Sequence, residues 1–103
     1  MTEEQTGIQK EGDIIKLLRY ISKERHKQHG DYMINPDLDE YTLGLGLKLK
    51  RAGRDVVKLL NGDRDSVNPD TLLDTVNYLI IVLAKTDIYK KHEYWKRVEE
   101  ANK

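Results

Sequence analysis

Lys48 and Arg51 stand three residues apart in "LKLKRAG", and Asp70, Asp74, Asn77 and Tyr78 follow in "DTLLDTVNYL". Residues three and four apart share one face of a helix. Two cations on such a face can hold a phosphate. Carboxylates one turn apart can hold Mg²⁺, which takes oxygen ligands and often arrives with phosphates. A third group, His26, His29 and Asp31 in "HKQHGDY", sits in or beside a loop. His26 and His29 could share a metal, but two imidazoles with no further clear ligand make a weak zinc pattern.

Each group also has a plain structural reading. Asp70 follows Pro69, where a carboxylate compensates the helix dipole. Imidazoles at a helix end are favourable for the same reason. Asp55, one turn after Arg51, could hold it as a surface ion pair. Asp74 and Asn77 lie beyond a first turn, so no cap accounts for them, although a solvated face would. "DRDSVNPD" alternates acids without the Gly that gives a calcium loop its sharp turn. The chain has no nucleophile elbow, Gly-rich phosphate loop or CxxC.

These residues need helices to position them. The first spans about residues 12–28, with Ile14, Leu17, Leu18 and Ile21 on one face and Gly30 as its stop. Residues 1–11 read as a flexible tail. Two "NPD" triplets, Asn35-Pro36-Asp37 and Asn68-Pro69-Asp70, each supply a cap, a proline at the first helical position and a carboxylate for the dipole. They start a second helix that ends near Asn61-Gly62 and a third that runs to about Lys85. The connection over about 61–68 is too long for a helix-turn-helix. A charged last segment, "IYKKHEYWKRVEEANK", carries a loose apolar stripe of Ile88, Tyr89, Trp95 and Val98.

"YTLGLGLKLKRAG", residues 41–53, alternates like a strand up to Leu49, then changes to helical spacing. With a helix already under way from Pro36, the stretch reads as helix. Leu45, Leu49, Ala52, Val56, Leu59 and Leu60 share its apolar arc, and Glu40, Gly44, Lys48, Arg51, Asp55 and Lys58 gather opposite. Gly46 and Gly53 flank the apolar arc and suit close approach of another helix. Gly44, on the polar side, either leaves room for a ligand or marks a bend. On the third helix, Leu72, Val76, Leu79 and Leu83 form the core face.

The fold class is therefore all-α: a bundle of three main helices plus a C-terminal amphipathic helix, in a single domain over residues 1–103. Its 18 basic and 18 acidic side chains cancel, which argues against binding nucleic acid through net charge. There is no cysteine, so disulfides and thiolate metal sites are excluded. The longest apolar run, "LIIVLA", is far short of the roughly 20 residues that span a bilayer. With a polar, acidic N-terminus unlike a signal peptide, the expectation is a cytoplasmic protein.

Taken together, "HGDY", "LKLKRAGRDVVKLLNG" and "DTLLDTVNYLIIVL" resemble the nucleotide modification associated domain 1 family, small all-helical domains of phages and bacteria. The resemblance covers about residues 20–85. It rests on His29-Gly30-Asp31, Lys48 with Arg51, and Asp70, Asp74, Asn77 and Tyr78 in that order. A more distant similarity is to MazG-like all-α nucleotide pyrophosphatases. Those hold Mg²⁺ with paired Glu-x-x-Glu and Glu-x-x-Asp helices, a pairing that this chain lacks. The resemblance implies a nucleotide-binding domain of nucleotide metabolism or base modification, with Mg²⁺-dependent phosphohydrolysis as its furthest reach.

On that reading Lys48 and Arg51 take phosphates. Asp74, with Asp31 or Asp70, holds Mg²⁺ or a sugar hydroxyl, and Asn77 and Tyr78 orient base or sugar. The loop from His29 to Tyr32 caps the site, and a homo-oligomer is compatible with it. Two rivals predict other things. An interaction protein without a small ligand would show an exposed apolar patch around Trp95 and a filled space beside Gly44. A nucleic-acid accessory protein would use Lys48, Lys50, Arg51, Arg54 and Lys58 as an extended basic track.

Overall fold

Thr6 starts the first helix. Its hydroxyl accepts from the Gln9 N–H while the Gln9 side chain accepts from the Thr6 N–H, a reciprocal capping box. The computed structural model describes residues 5–30 and 37–102, apart from the His29 side chain. In it α1 spans Gly7–His29, so the helix begins at Gly7 rather than near residue 12 and takes in much of the expected tail. Gly30 ends it as expected, at φ 79° with its N–H donating to the His26 carbonyl.

α2 spans Leu38–Leu60 and α3 spans Pro69–Thr86. The stretch 41–53 is helical throughout, and no strand occurs among the described residues. The two "NPD" triplets behave differently. Before α3, Asn68 accepts from the Asp70 N–H and Pro69 is the first helical residue, as expected. Before α2 the cap is Asp37, which accepts from the Glu40 N–H at 2.9 Å. There the carboxylate takes the capping place itself instead of compensating the dipole from inside the first turn.

The last segment is not one helix. Asp87 takes the left-handed conformation, φ 57°, a 3-10 turn covers Ile88–Lys91, and α4 covers Trp95–Ala101. Trp95 sits edge-on to Tyr89, ring centroids 5.0 Å apart. No described helix is long and apolar enough to cross a membrane. The architecture is all-α, three long helices followed by the two short C-terminal ones.

The chain divides into two compact units, Met1–Asn35 and Pro36–Lys103. In the first, Leu18 is buried. The second is built on an antiparallel α2–α3 hairpin, and its inner face is not the expected one. Among the described residues of this unit, the three buried ones are polar: Asp55, Thr75 and Asn77. Gly44 and Lys48 face α3, whereas Leu49, Val56, Leu59 and Leu60 of the supposed core arc are exposed. Val76, Leu79 and Leu83 of α3 are exposed too. Leu45, Ala52 and Leu72 of the expected core faces are half-buried, and the contacts that align the two helices come from small and hydrogen-bonding residues. The Thr75 hydroxyl lies 2.7 Å from the Thr71 carbonyl and 3.3 Å from that of Lys48.

The glycine expectations change accordingly. A Cβ on Gly44 would stand 2.7 Å from Cε2 of Tyr78. The missing side chain makes room for that ring, neither for a ligand nor for a bend. At Gly46 and Gly53 an added Cβ would meet nothing within 4 Å among the described residues. Among the described residues, the close approach assigned to them is made at Gly44.

Candidate functional site

The site expected from three separated pieces begins with one contact. The Lys48 ammonium donates to Asp74 Oδ2 at 3.4 Å, across 26 residues of sequence. Both side chains are mostly buried, 20% and 29% exposed. The Lys48 ammonium also lies 4.8 Å from the centre of the Tyr78 ring. That ring fills the space beside Gly44 and meets Tyr41 edge-on at 5.4 Å. Lys85 stands 5.5 Å over the Tyr41 ring in turn. A cation over an aromatic face is attracted by the ring quadrupole, more strongly where water is excluded.

Asn77 follows Asp74 by one turn and is 5% exposed. Its Nδ2 is buried and has no hydrogen-bond partner among the described residues. A buried donor without an acceptor costs about 1–3 kcal/mol, and such groups are rare enough in folded proteins to call for a cause. Lys48, Asp74 and Tyr78 are thus drawn together by the α2–α3 hairpin, and Asn77 follows Asp74 on α3.

Of the other expected members, two are exposed. Arg51 is exposed on α2, while the Lys48 ammonium is turned inward to Asp74. Asp70 is exposed in the first turn of α3. Asp31, Tyr32 and the His29 side chain lie outside the described residues. No group of three acidic, histidine or cysteine side chains that could hold a metal occurs among the described residues.

The sequence reading missed Tyr41, Thr75, Lys85 and Asp55. The first three were legible in principle. Tyr41, Gly44 and Lys48 follow at three and four residues, as do Thr75, Tyr78 and Lys85 with a seven-residue step, so each set forms one helical stripe. Asp55 was read as a surface partner for Arg51. It is instead buried, with Lys58 3.8 Å from Oδ1 and no hydrogen-bond partner for Oδ2 among the described residues. Lys58 also donates to the Ser66 carbonyl at 3.3 Å, tying the following loop to α2.

Compared with family models, curated proteins and solved structures, the chain matches none of them.

Proposed function

We propose that the second unit binds a phosphorylated nucleotide at the group formed by Lys48, Asp74, Asn77 and Tyr78. The buried amide of Asn77, without a hydrogen-bond partner among the described residues and one turn from Asp74 of the Lys48–Asp74 pair, carries this reading. An uncompensated buried donor is tolerated where a ligand supplies the acceptor, and sites kept for binding often cost stability. In the bound state Lys48 turns from Asp74 to a phosphate, assisted by the exposed Arg51. Asp74 takes a sugar hydroxyl. Asn77 gives its Nδ2 hydrogens to the base or sugar, with Tyr78 at the edge. The resemblance to the nucleotide modification associated domain 1 family supports the same ligand class. It extends the reading to a phage or bacterial setting in the cytoplasm.

Calorimetric titration with nucleoside mono-, di- and triphosphates, with and without Mg²⁺, tests it. One of these should bind. Lys48→Ala and Asp74→Ala should each weaken it about tenfold or more, as loss of a charge-assisted hydrogen bond implies. The two changes should be non-additive because the residues share one ligand. Asn77→Leu should weaken binding while leaving the ligand-free protein as stable or more so. Absence of binding across the series at millimolar concentration, or equal sensitivity to Lys50→Ala and Arg54→Ala, would refute the proposal.

A second reading has two observations in its favour. The space beside Gly44 is filled by Tyr78, as expected for an interaction protein without a small ligand. Tyr94 and Val98, beside the half-buried Trp95, are exposed. That reading predicts a blank nucleotide series.

A further inference from the structure

The α2–α3 hairpin has an apolar side that its own two helices do not cover. Contacts of Gly44 with Tyr78 and of Lys48 with Asp74 and Thr75 fix which face of each helix looks at the other. At 3.6 residues per turn, Leu49, Val56 and Leu60 lie about a third of a turn round α2 from that seam. Val76, Leu79 and Leu83 lie about a third of a turn round α3, in the same sense along the chain. The helices are antiparallel, so equal rotations in the chain direction bring both strips to one side of the hairpin. These six side chains are between 38% and 81% exposed.

Their area matches a definite kind of contact. With roughly 150–180 Å² for a fully exposed Val or Leu, the six present about 500 Å² of apolar surface. A standard interface buries about 800 Å² per partner, a little over half of it apolar. A strip of this size on each of two chains makes a standard-size interface. The chain carries no net formal charge, so a second copy is not repelled. Gly46 and Gly53 lie beside the strip, with open space among the described residues where a side chain would stand, and so let a neighbouring helix come close.

We propose that this face is where a second copy of the chain docks, the two hairpins closing a four-helix bundle about a two-fold axis. A two-fold contact uses the same patch on both partners, and an apolar strip on paired antiparallel helices is self-complementary at the shallow crossing of such bundles. The face lies round the hairpin from the Lys48–Asp74 pair, so the inference does not depend on nucleotide binding.

Sedimentation equilibrium of the full chain over a micromolar concentration series tests it. The mass should reach twice the 12.0 kDa of one chain. Val76→Asp should raise the dissociation constant at least about tenfold while circular dichroism stays helical. Should Val76→Asp lose its helical signal, Gly53→Leu serves instead. In the single chain its side chain grows into open space and helix propensity rises, yet it blocks the approach of the second copy. A 12.0 kDa species throughout, as would follow if residues 1–35 of the same chain cover the face, overturns the proposal. So does a dimer that Gly53→Leu leaves unchanged.

Discussion

The two sides of the α2–α3 hairpin divide the work of a helix contact between them. The seam holds Gly44 against Tyr78, Lys48 on Asp74 and Thr75 on the backbone. The outer side holds Leu49, Val56, Val76, Leu79 and Leu83, half-exposed and without directional contacts. Apolar burial is worth about 25 cal/mol per Å² wherever the area goes, so the outer side can drive association without choosing a register. A ring seated on one glycine and an ammonium on one carboxylate permit a single register. Specific contacts therefore lie where the two helices must align, and non-directional area lies where another surface must be gained.

Breaking the seam should have the largest effect. Gly44→Leu drives a side chain into the Tyr78 ring, which has Tyr41 and Lys48 around it. Overpacking of that kind costs about 1–3 kcal/mol. Tyr78→Ala should relieve much of it, so the pair should be non-additive in chemical denaturation. The matching change on the other side, Gly46→Leu, meets no described side chain. Measured in dilute solution, it should gain up to about 1 kcal/mol from helix propensity. Equal losses at the two positions would remove the distinction between seam and outer side.

Next in size is the Lys48–Asp74 pair. Its side chains keep 20% and 29% of their exposure, so it falls between surface pairs worth about 0–1 kcal/mol and buried ones costing about 3–5 when broken. Lys48→Met and Asp74→Asn should each cost about 1–2 kcal/mol, and a double-mutant cycle should return a coupling of at least about 0.5 kcal/mol. Thr75→Val should cost somewhat less, about 1 kcal/mol, since it removes one net hydrogen bond. A chain as stable as the parent after Thr75→Val would show that the seam depends on shape rather than hydrogen bonding.

The contrast also shows what a sequence discloses. Asn68-Pro69-Asp70 announced α3 because capping is local chemistry, complete within a few residues. Helical periodicity resolved residues 41–53 for the same reason. The same periodicity could not say which face of α2 meets α3, since it separates apolar from polar residues without naming a partner for either. Lys48, Asp74 and Asn77 stood out as polar residues beyond any cap, and the convergence of Lys48 with Asp74 is tertiary. The burial of Asn77 and Asp55 had no local sign, because an Asn or Asp in a helix reads alike whether water or protein covers it.

The smallest effect expected lies outside both sides, in the turn after α2. Gly62, φ 79°, turns the chain away from the helix, and the Asp63 N–H donates to the Lys58 carbonyl. Ser66 then donates its hydroxyl and its N–H to the Asp63 carboxylate. The Ser66 hydroxyl, followed by its N–H, lowers the Asp63 pKa below the ordinary carboxylate value, and Lys58 adds a little. A lowered folded-state pKa means that the unfolded chain binds the proton more readily. The contribution of Asp63 is thus fully present above the ordinary carboxylate pKa and is lost as pH falls through the lowered one. The carboxylate is fully exposed, so solvent screening keeps the stability change slight. Direct titration by NMR is the sharper measurement. Ser66→Ala should move the Asp63 midpoint up toward the ordinary value and leave the Lys48–Asp74 seam undisturbed. A midpoint unmoved by Ser66→Ala would mean that the turn is held by its backbone bonds and Gly62 alone.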